Sequence, residues 1–238
     1  MNAGRIHPRE EQVAELTRGH ILPLAPLDEI HLILIAEELS KAWIDLQTRQ
    51  QPTLLAGDEA EVNSLMNSKL NSLIGEQGLW SRLVSNVARG NESLSFDGSH
   101  LEKRPDLSIF LTNRSPSFPL IVECKLIDAS AEKKIKLYCD NGLLRFVKGE
   151  YAWAASEGFM LAYVRDGSTI DLSLGPFLAK SKNRAKDDYL TETLPESIDG
   201  TSIPLARSRH RRDFRHIGKE HADPGNIAIW HLWLVATA

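Results

Sequence analysis

Apolar residues at Leu32, Ile35, Leu39, Trp43 and Leu46 recur every three or four positions, the spacing of one buried helix face. Asp28 stands where it can cap this helix, and Pro52 where it should stop. Gly57 and Asp58 open a second helix, with Val62, Leu65, Met66, Lys69 and Leu73 at helical spacing. From 80 to 95 the pattern is shorter and mixed, and 91–98 predicts a loop. The period then changes. Residues 107–112 and 120–126 are apolar, partly β-branched runs separated by the turn-rich Asn-Arg-Ser-Pro-Ser-Phe-Pro, which predicts two strands. A charged helix is expected from Asp128 and Ser130 to Tyr138, and another over 143–156. Gly158 ends that helix, and strands are expected at 159–164 and 169–174. Residues 175–225 are polar and predict an irregular insertion folded over the body; 227–235 predicts a last strand. Residues 1–26, with three prolines, predict a loosely ordered lead-in or a short helix and loop.

The strand at 120–126 breaks its own pattern. Side chains alternate faces along a strand, so Glu123 and Lys125 share one face while Val122, Cys124 and Leu126 take the other. An antiparallel hairpin turning near Ser115 and Pro116 would bring Asp106 across from about Lys125, within a residue or two of Glu123. Two carboxylates and an amine at one end of a sheet can hold a divalent cation through oxygen ligands, with the ammonium beside it. That chemistry suits phosphodiester hydrolysis, in which negative charge develops on oxygen. An exposed Glu–Lys pair on an edge strand is the plain alternative, contributing about 0–1 kcal/mol.

Composition narrows the class. The chain has 238 residues, 42% hydrophobic and 25% charged, the balance of a globular protein. Its apolar runs are too short to span a membrane, the first residues have no apolar stretch of the kind a signal peptide needs, and two cysteines cannot form a disulfide scaffold. A cytoplasmic protein is expected. Net charge is −4, yet 204–219 holds six basic residues against Asp213, leaving −9 on the remainder. A basic segment on an acidic body suits a polyanionic ligand, or is a solvated loop.

Arg-Pro-Asp106 before a strand, followed by Ile-Val-Glu123-Cys-Lys125, resembles the signature of the PD-(D/E)xK nuclease superfamily. The resemblance implies a restriction-endonuclease-like α/β/α core with a central mixed sheet. It makes Asp106 and Glu123 ligands of magnesium or manganese and Lys125 the lysine that assists the attacking water. It also implies a helix carboxylate before the first core strand, a place that Glu59 fits best and Glu61 can fill. The pattern of Lys136, Tyr138, Gly142, Arg145, Phe146, Gly149 and Tyr151 is similar to a segment of bacterial members, some found in antiphage or mobile-element settings.

The expected organisation is an α/β fold: an N-terminal helical extension over 1–56 and a nuclease domain over 57–238 with a basic insertion at 175–225. Lys134, Lys136, Arg145 and Lys148 could line a phosphate groove, with Arg207, Arg209, His210, Arg211 and Arg212 added from the insertion. His210, His216 and His221 with Asp213 and Glu220 match no standard zinc spacing. No phosphate loop or serine-hydrolase elbow occurs, so an ATPase would be a separate partner. The expected activity is metal-dependent cleavage of nucleic acid, DNA before RNA; a non-cleaving binding or assembly subunit of the same fold is the rival. The Leu32–Leu46 stripe packs on the chain's own core or serves a homodimer.

Overall fold

The computed structural model describes residues 10–92, 95–96, 104–216 and 223–237. Seven strands form one mixed sheet in the order β1-β2-β3-β4-β7-β6-β5. β3 (Leu120–Ile127), β4 (Glu157–Val164) and β7 (Ile227–Val235) run parallel at its centre. β4 is buried along its whole length, which is why it lacks apolar–polar alternation. β1 (Val84–Ala88) and β2 (Leu107–Leu111) flank β3 antiparallel, and β6 (Leu205–His210) and β5 (Thr191–Ser197) continue antiparallel from β7.

Helices cover both faces. On one, α2 (Glu29–Ala56) and α3 (Glu59–Ile74) bury Leu32, Ile35, Leu39, Trp43, Val62, Met66 and Leu70 against Val122, Cys124 and Leu126. The short α4 (Leu79–Leu83) adds Trp80 and Leu83 to this cluster, and the Leu32–Leu46 stripe is core. α2 lies in the same apolar cluster as the sheet, so the stretch read as an extension packs into the main body. Pro52 does not end α2: the helix kinks at Gln50 and runs on to Ala56. Asp58 caps α3, accepting from the Glu61 amide, while the Glu61 carboxylate accepts from the Asp58 amide.

The other face carries α5 (Ile135–Tyr138), a π-helical turn (Cys139–Leu143) and α6 (Leu144–Val147) as one unbroken helical run, followed later by α7 (Gly175–Lys182). A third, smaller apolar cluster joins α1 (Glu10–Leu16) to Phe118, Trp153 and Phe214. Among the described residues, no helix is long and apolar enough to cross a membrane.

Several expectations are corrected. The 169–174 strand is helical: the Thr169 hydroxyl accepts from the Leu172 amide and starts a turn over Ile170–Leu174 that leads into α7, leaving Leu172 81% exposed. Residues 175–225 are not an irregular insertion, because they supply α7 and two strands of the main sheet. The helix expected from 128 begins at Ile135, after a short 3-10 turn, and helical structure over 143–156 stops at Val147. β1 was missed because a bulge between Val84 and Asn86 breaks its alternation. Residues 1–9, and parts of the loop at 91–98, lie outside the described residues.

Candidate active site

β2 and β3 pair only from Leu107↔Val122 to Ile109↔Leu120 and then part, because β3 continues to Ile127. The register puts Asp106 level with Glu123 rather than Lys125. Where β2 leaves, the amides of Cys124 and Leu126 lose their strand partner. Asp106 Oδ2 accepts from the Cys124 amide at 2.9 Å and Glu59 Oε2 accepts from the Leu126 amide at 2.8 Å. The gap in the ladder thus draws in two carboxylates, one from the chain before β2 and one from the first turn of α3.

Lys125 Nζ sits among them, 2.9 Å from Glu123 Oε1, 3.0 Å from Glu59 Oε1 and 3.6 Å from Asp106 Oδ2, and donates to the Cys124 carbonyl at 2.7 Å. Burial works against this ammonium, but the carboxylates of Glu123, Asp106 and Glu59 outweigh it and hold its pKa above the ordinary value. The edge-strand ion pair is excluded by depth: the Glu123 side chain is 1% exposed and Lys125 12%. The helix carboxylate is Glu59, since Glu61 is committed to the capping box.

Three residues that sequence reasoning did not assign to the site complete it. Asn63 Nδ2 donates to Asp106 Oδ1 at 2.9 Å, and Asn63 Oδ1 accepts from the Tyr163 hydroxyl at 2.9 Å. A polar side chain four residues after Glu59 on the same helix, amid Val62 and Met66, was the available signal. The Tyr151 hydroxyl accepts from Arg145 Nη1 at 2.7 Å, and the same nitrogen donates to Glu123 Oε1 at 2.9 Å. Gly142, in the π-helical turn, lets the helix lie this close: a Cβ there would meet Met160 Cε at 2.4 Å and Glu123 Cγ at 3.6 Å. A π turn at a functional site is a recurrent association.

Glu123 holds the unbalanced position. Oε1 accepts from both Lys125 and Arg145, whereas Oε2 is buried with no hydrogen-bond partner among the described residues. Burial, with Asp106 beside it, pushes the Glu123 pKa up to about 8, against the pull of Lys125 and Arg145. With both cationic donors on Oε1, a proton taken up by Glu123 resides on Oε2. The orphaned oxygen beside Asp106 fits a hard divalent cation, which takes oxygen ligands. Asp106 and Glu123 would hold it. Glu59 is committed to Lys125 and the Leu126 amide, and among the described residues no three His, Cys, Asp or Glu side chains converge on a common ligand point.

The basic segment does not gather here. His210 is fully buried in β6, with its pKa lowered to about 4 by burial; its Nδ1 donates to the Tyr189 carbonyl at 2.8 Å and its Nε2 lies 2.8 Å from Ser208 Oγ. It is a core residue, not a phosphate contact. Arg212 is turned inward as a staple, donating to the carbonyls of Gly225, Ala152, Trp153, Ala155 and Pro224. Arg207 pairs with Glu29 at 2.6 Å and lies over Trp230, on the α2 face. β6 is three strand spacings from β3, roughly 14 Å. Arg209 and Arg211 are exposed. Lys134 and Lys136 are exposed and paired with Glu132 and Asp140, and Lys148 is exposed just beyond α6. Of the expected phosphate contacts, Arg145 alone touches the carboxylate cluster. His216 is buried, while Lys219, Glu220 and His221 lie outside the described residues.

No family model, no curated protein and no solved structure matches this chain.

Proposed function

We propose that the chain is a metal-dependent nuclease with a restriction-endonuclease-like fold, hydrolysing phosphodiester bonds of nucleic acid, DNA rather than RNA. One observation carries the reading: Glu59 from α3, Asp106 from the chain before β2, and Glu123 and Lys125 from β3 meet where β2 and β3 part. The mixed sheet with helices on both faces agrees with it.

Each residue has a separable task. Asp106 is fixed by Asn63 and the Cys124 amide, and Glu123 by Lys125 and Arg145, so the two ligand candidates need no large rearrangement. Magnesium or manganese held by them would polarise a phosphoryl oxygen and acidify water. Lys125, kept protonated and aimed by Glu59 and Glu123, supplies positive charge where negative charge develops on the phosphate. Arg145, which touches Glu123, and the exposed Lys148 just beyond α6 are offered to a backbone phosphate, with Arg209 and Arg211 exposed on and beyond β6. A role as an effector in bacterial antiphage defence rests on the Lys136–Tyr151 pattern alone.

The test is incubation of purified protein with supercoiled plasmid, linear duplex, single-stranded DNA and RNA, in magnesium, manganese or EDTA, beside Lys125→Ala. Metal-dependent products from wild type and none from the variant support the reading. Cation-independent nucleic-acid binding with no cleavage of any substrate would favour the non-cleaving subunit, a reading that the full hydrogen bonding of Asp106 also suits.

A further inference from the structure

Two cations share Glu123 Oε1, and they are held very differently. Lys125 has three further anchors, Glu59, Asp106 and the Cys124 carbonyl, and is 12% exposed. Arg145 is 31% exposed, and among the described residues its side chain is hydrogen-bonded, apart from Glu123, to Tyr151 alone, whose ring lies 5.3 Å beneath the guanidinium, with the nearby Glu150 carboxylate adding a further attraction. Among the described residues both of its side-chain hydrogen bonds leave from Nη1, although a guanidinium has five N–H donors in a fork that matches phosphate.

Charge counting shows which of the two can be released. With Glu123 ionised, Glu59, Asp106 and Glu123 face Lys125 and Arg145, three acids against two bases, and Glu150 attracts Arg145 from outside the cluster. A divalent ion at the orphaned Oε2, displacing any proton held there, leaves the cluster net positive and places like charge beside Arg145. Lys125 is anchored against this repulsion, whereas Arg145 can turn toward solvent while Tyr151 keeps it at the mouth of the site.

We propose that Arg145 is a displaceable counter-ion: Glu123 holds it until a divalent cation arrives, and it is then handed to a backbone phosphate of the nucleic acid. Cation and nucleic acid thereby promote each other's binding, as any coupling of two ligands must be reciprocal. The inference rests on the nuclease reading of the cluster and adds a positioning residue to it.

The experiment is a salt titration of binding to a labelled, hydrolysis-resistant phosphorothioate DNA duplex, by wild type and Arg145→Met, in EDTA and in calcium. Arg145→Gln provides a second variant, and a cooperative melt qualifies either. In EDTA the two proteins should give the same slope of log affinity against log salt. In calcium the wild type should be steeper by about 0.9, one phosphate contact. Calorimetry should show calcium binding to Arg145→Met on the order of tenfold tighter, since a repelling charge is gone. A slope difference of equal size in EDTA and calcium would make Arg145 a permanent phosphate contact and overturn the hand-over. Identical slopes in both, or weaker calcium binding by the variants, would make it a structural brace. If wild type bound no calcium, the nuclease reading would fall together with the proposal.

Discussion

Asn63 holds Asp106 through a 2.9 Å hydrogen bond from its side-chain amide, and is itself oriented by the Tyr163 hydroxyl. Asn63 is 1% exposed and tyrosine and carboxylate are both its partners, so Asn63→Leu strands polar groups in the core. A loss of about 2–3 kcal/mol in urea unfolding is expected. Cleavage should fall by about 10–100-fold, as for other residues that orient a ligand. Tyr163→Phe should cost about 1 kcal/mol and leave most of the activity. Wild-type cleavage by Asn63→Leu would show that Asp106 needs no such support.

Lys125→Ala should separate cation binding from chemistry. Divalent binding, followed by calorimetry, should persist or strengthen, because a neighbouring positive charge is removed, while cleavage drops by orders of magnitude. Loss of cation binding together with a collapsed melt would identify Lys125 as a structural partner of its three carboxylates.

Proton and cation should compete for Glu123 Oε2. With its pKa at about 8, Glu123 is largely protonated at neutral pH, so magnesium binding should release close to one proton near pH 7 and almost none near pH 10. Binding heats in buffers of different ionisation enthalpy measure that release. An equal proton count at both pH values would place the titrating group elsewhere.

The same carboxyl gives stability a sign. Between the ordinary carboxyl range and about 8, folded Glu123 keeps a proton that the unfolded chain has lost, so stability falls as pH rises through that window. His210, lowered to about 4, and His231, also lowered by burial, act oppositely: the unfolded chain takes up protons they refuse, so stability is lost as pH falls below the ordinary imidazole value of 6.5. In EDTA, chemical denaturation should therefore show a decline from pH 6.5 to 8 that Glu123→Gln abolishes. A decline unchanged in the variant would count against Glu123.

The histidines belong to a buried chain whose hydrogen positions can be deduced. The Tyr189 carbonyl can only accept, so His210 carries its proton on Nδ1; Ser208 then donates to His210 Nε2 and accepts from His231 Nε2, leaving His231 Nδ1 to accept from Tyr138. Ser208→Ala breaks the chain in the middle. Unfolding should cost about 2–3 kcal/mol less, with cleavage by the folded fraction unchanged. A stability equal to wild type would show that the cavity admits water.

What the chain disclosed depended on period and on charge against an apolar background. The α2 stripe, the β3 run and the Glu123–Lys125 pair were legible because each contrasts with its neighbours. Spacing favoured Glu59 but left Glu61 open, since both lie in the first turn of α3; the capping box decides between them. The basic segment misled because charge was read as exposure. Arg212 is held inside by hydrogen bonds to carbonyls that come from 152–155 and 224–225, contacts that no local pattern encodes. His210 likewise looked like part of a basic loop until β6 carried it into the sheet.

The parting of β2 from β3 has a consequence for solubility. Beyond Leu107 the central sheet has an interior margin where Cys124 and Leu126 would offer bare amides to any passing strand, the usual template for aggregation. Asp106 and Glu59 cover those amides, so the acids proposed for chemistry also act as guards of an otherwise adhesive edge. Alanine at either position uncovers it, whereas asparagine or glutamine keeps an acceptor oxygen in place. Inactive controls built with the amide side chains should stay monodisperse at concentrations where the alanine versions associate, a difference that light scattering reads directly.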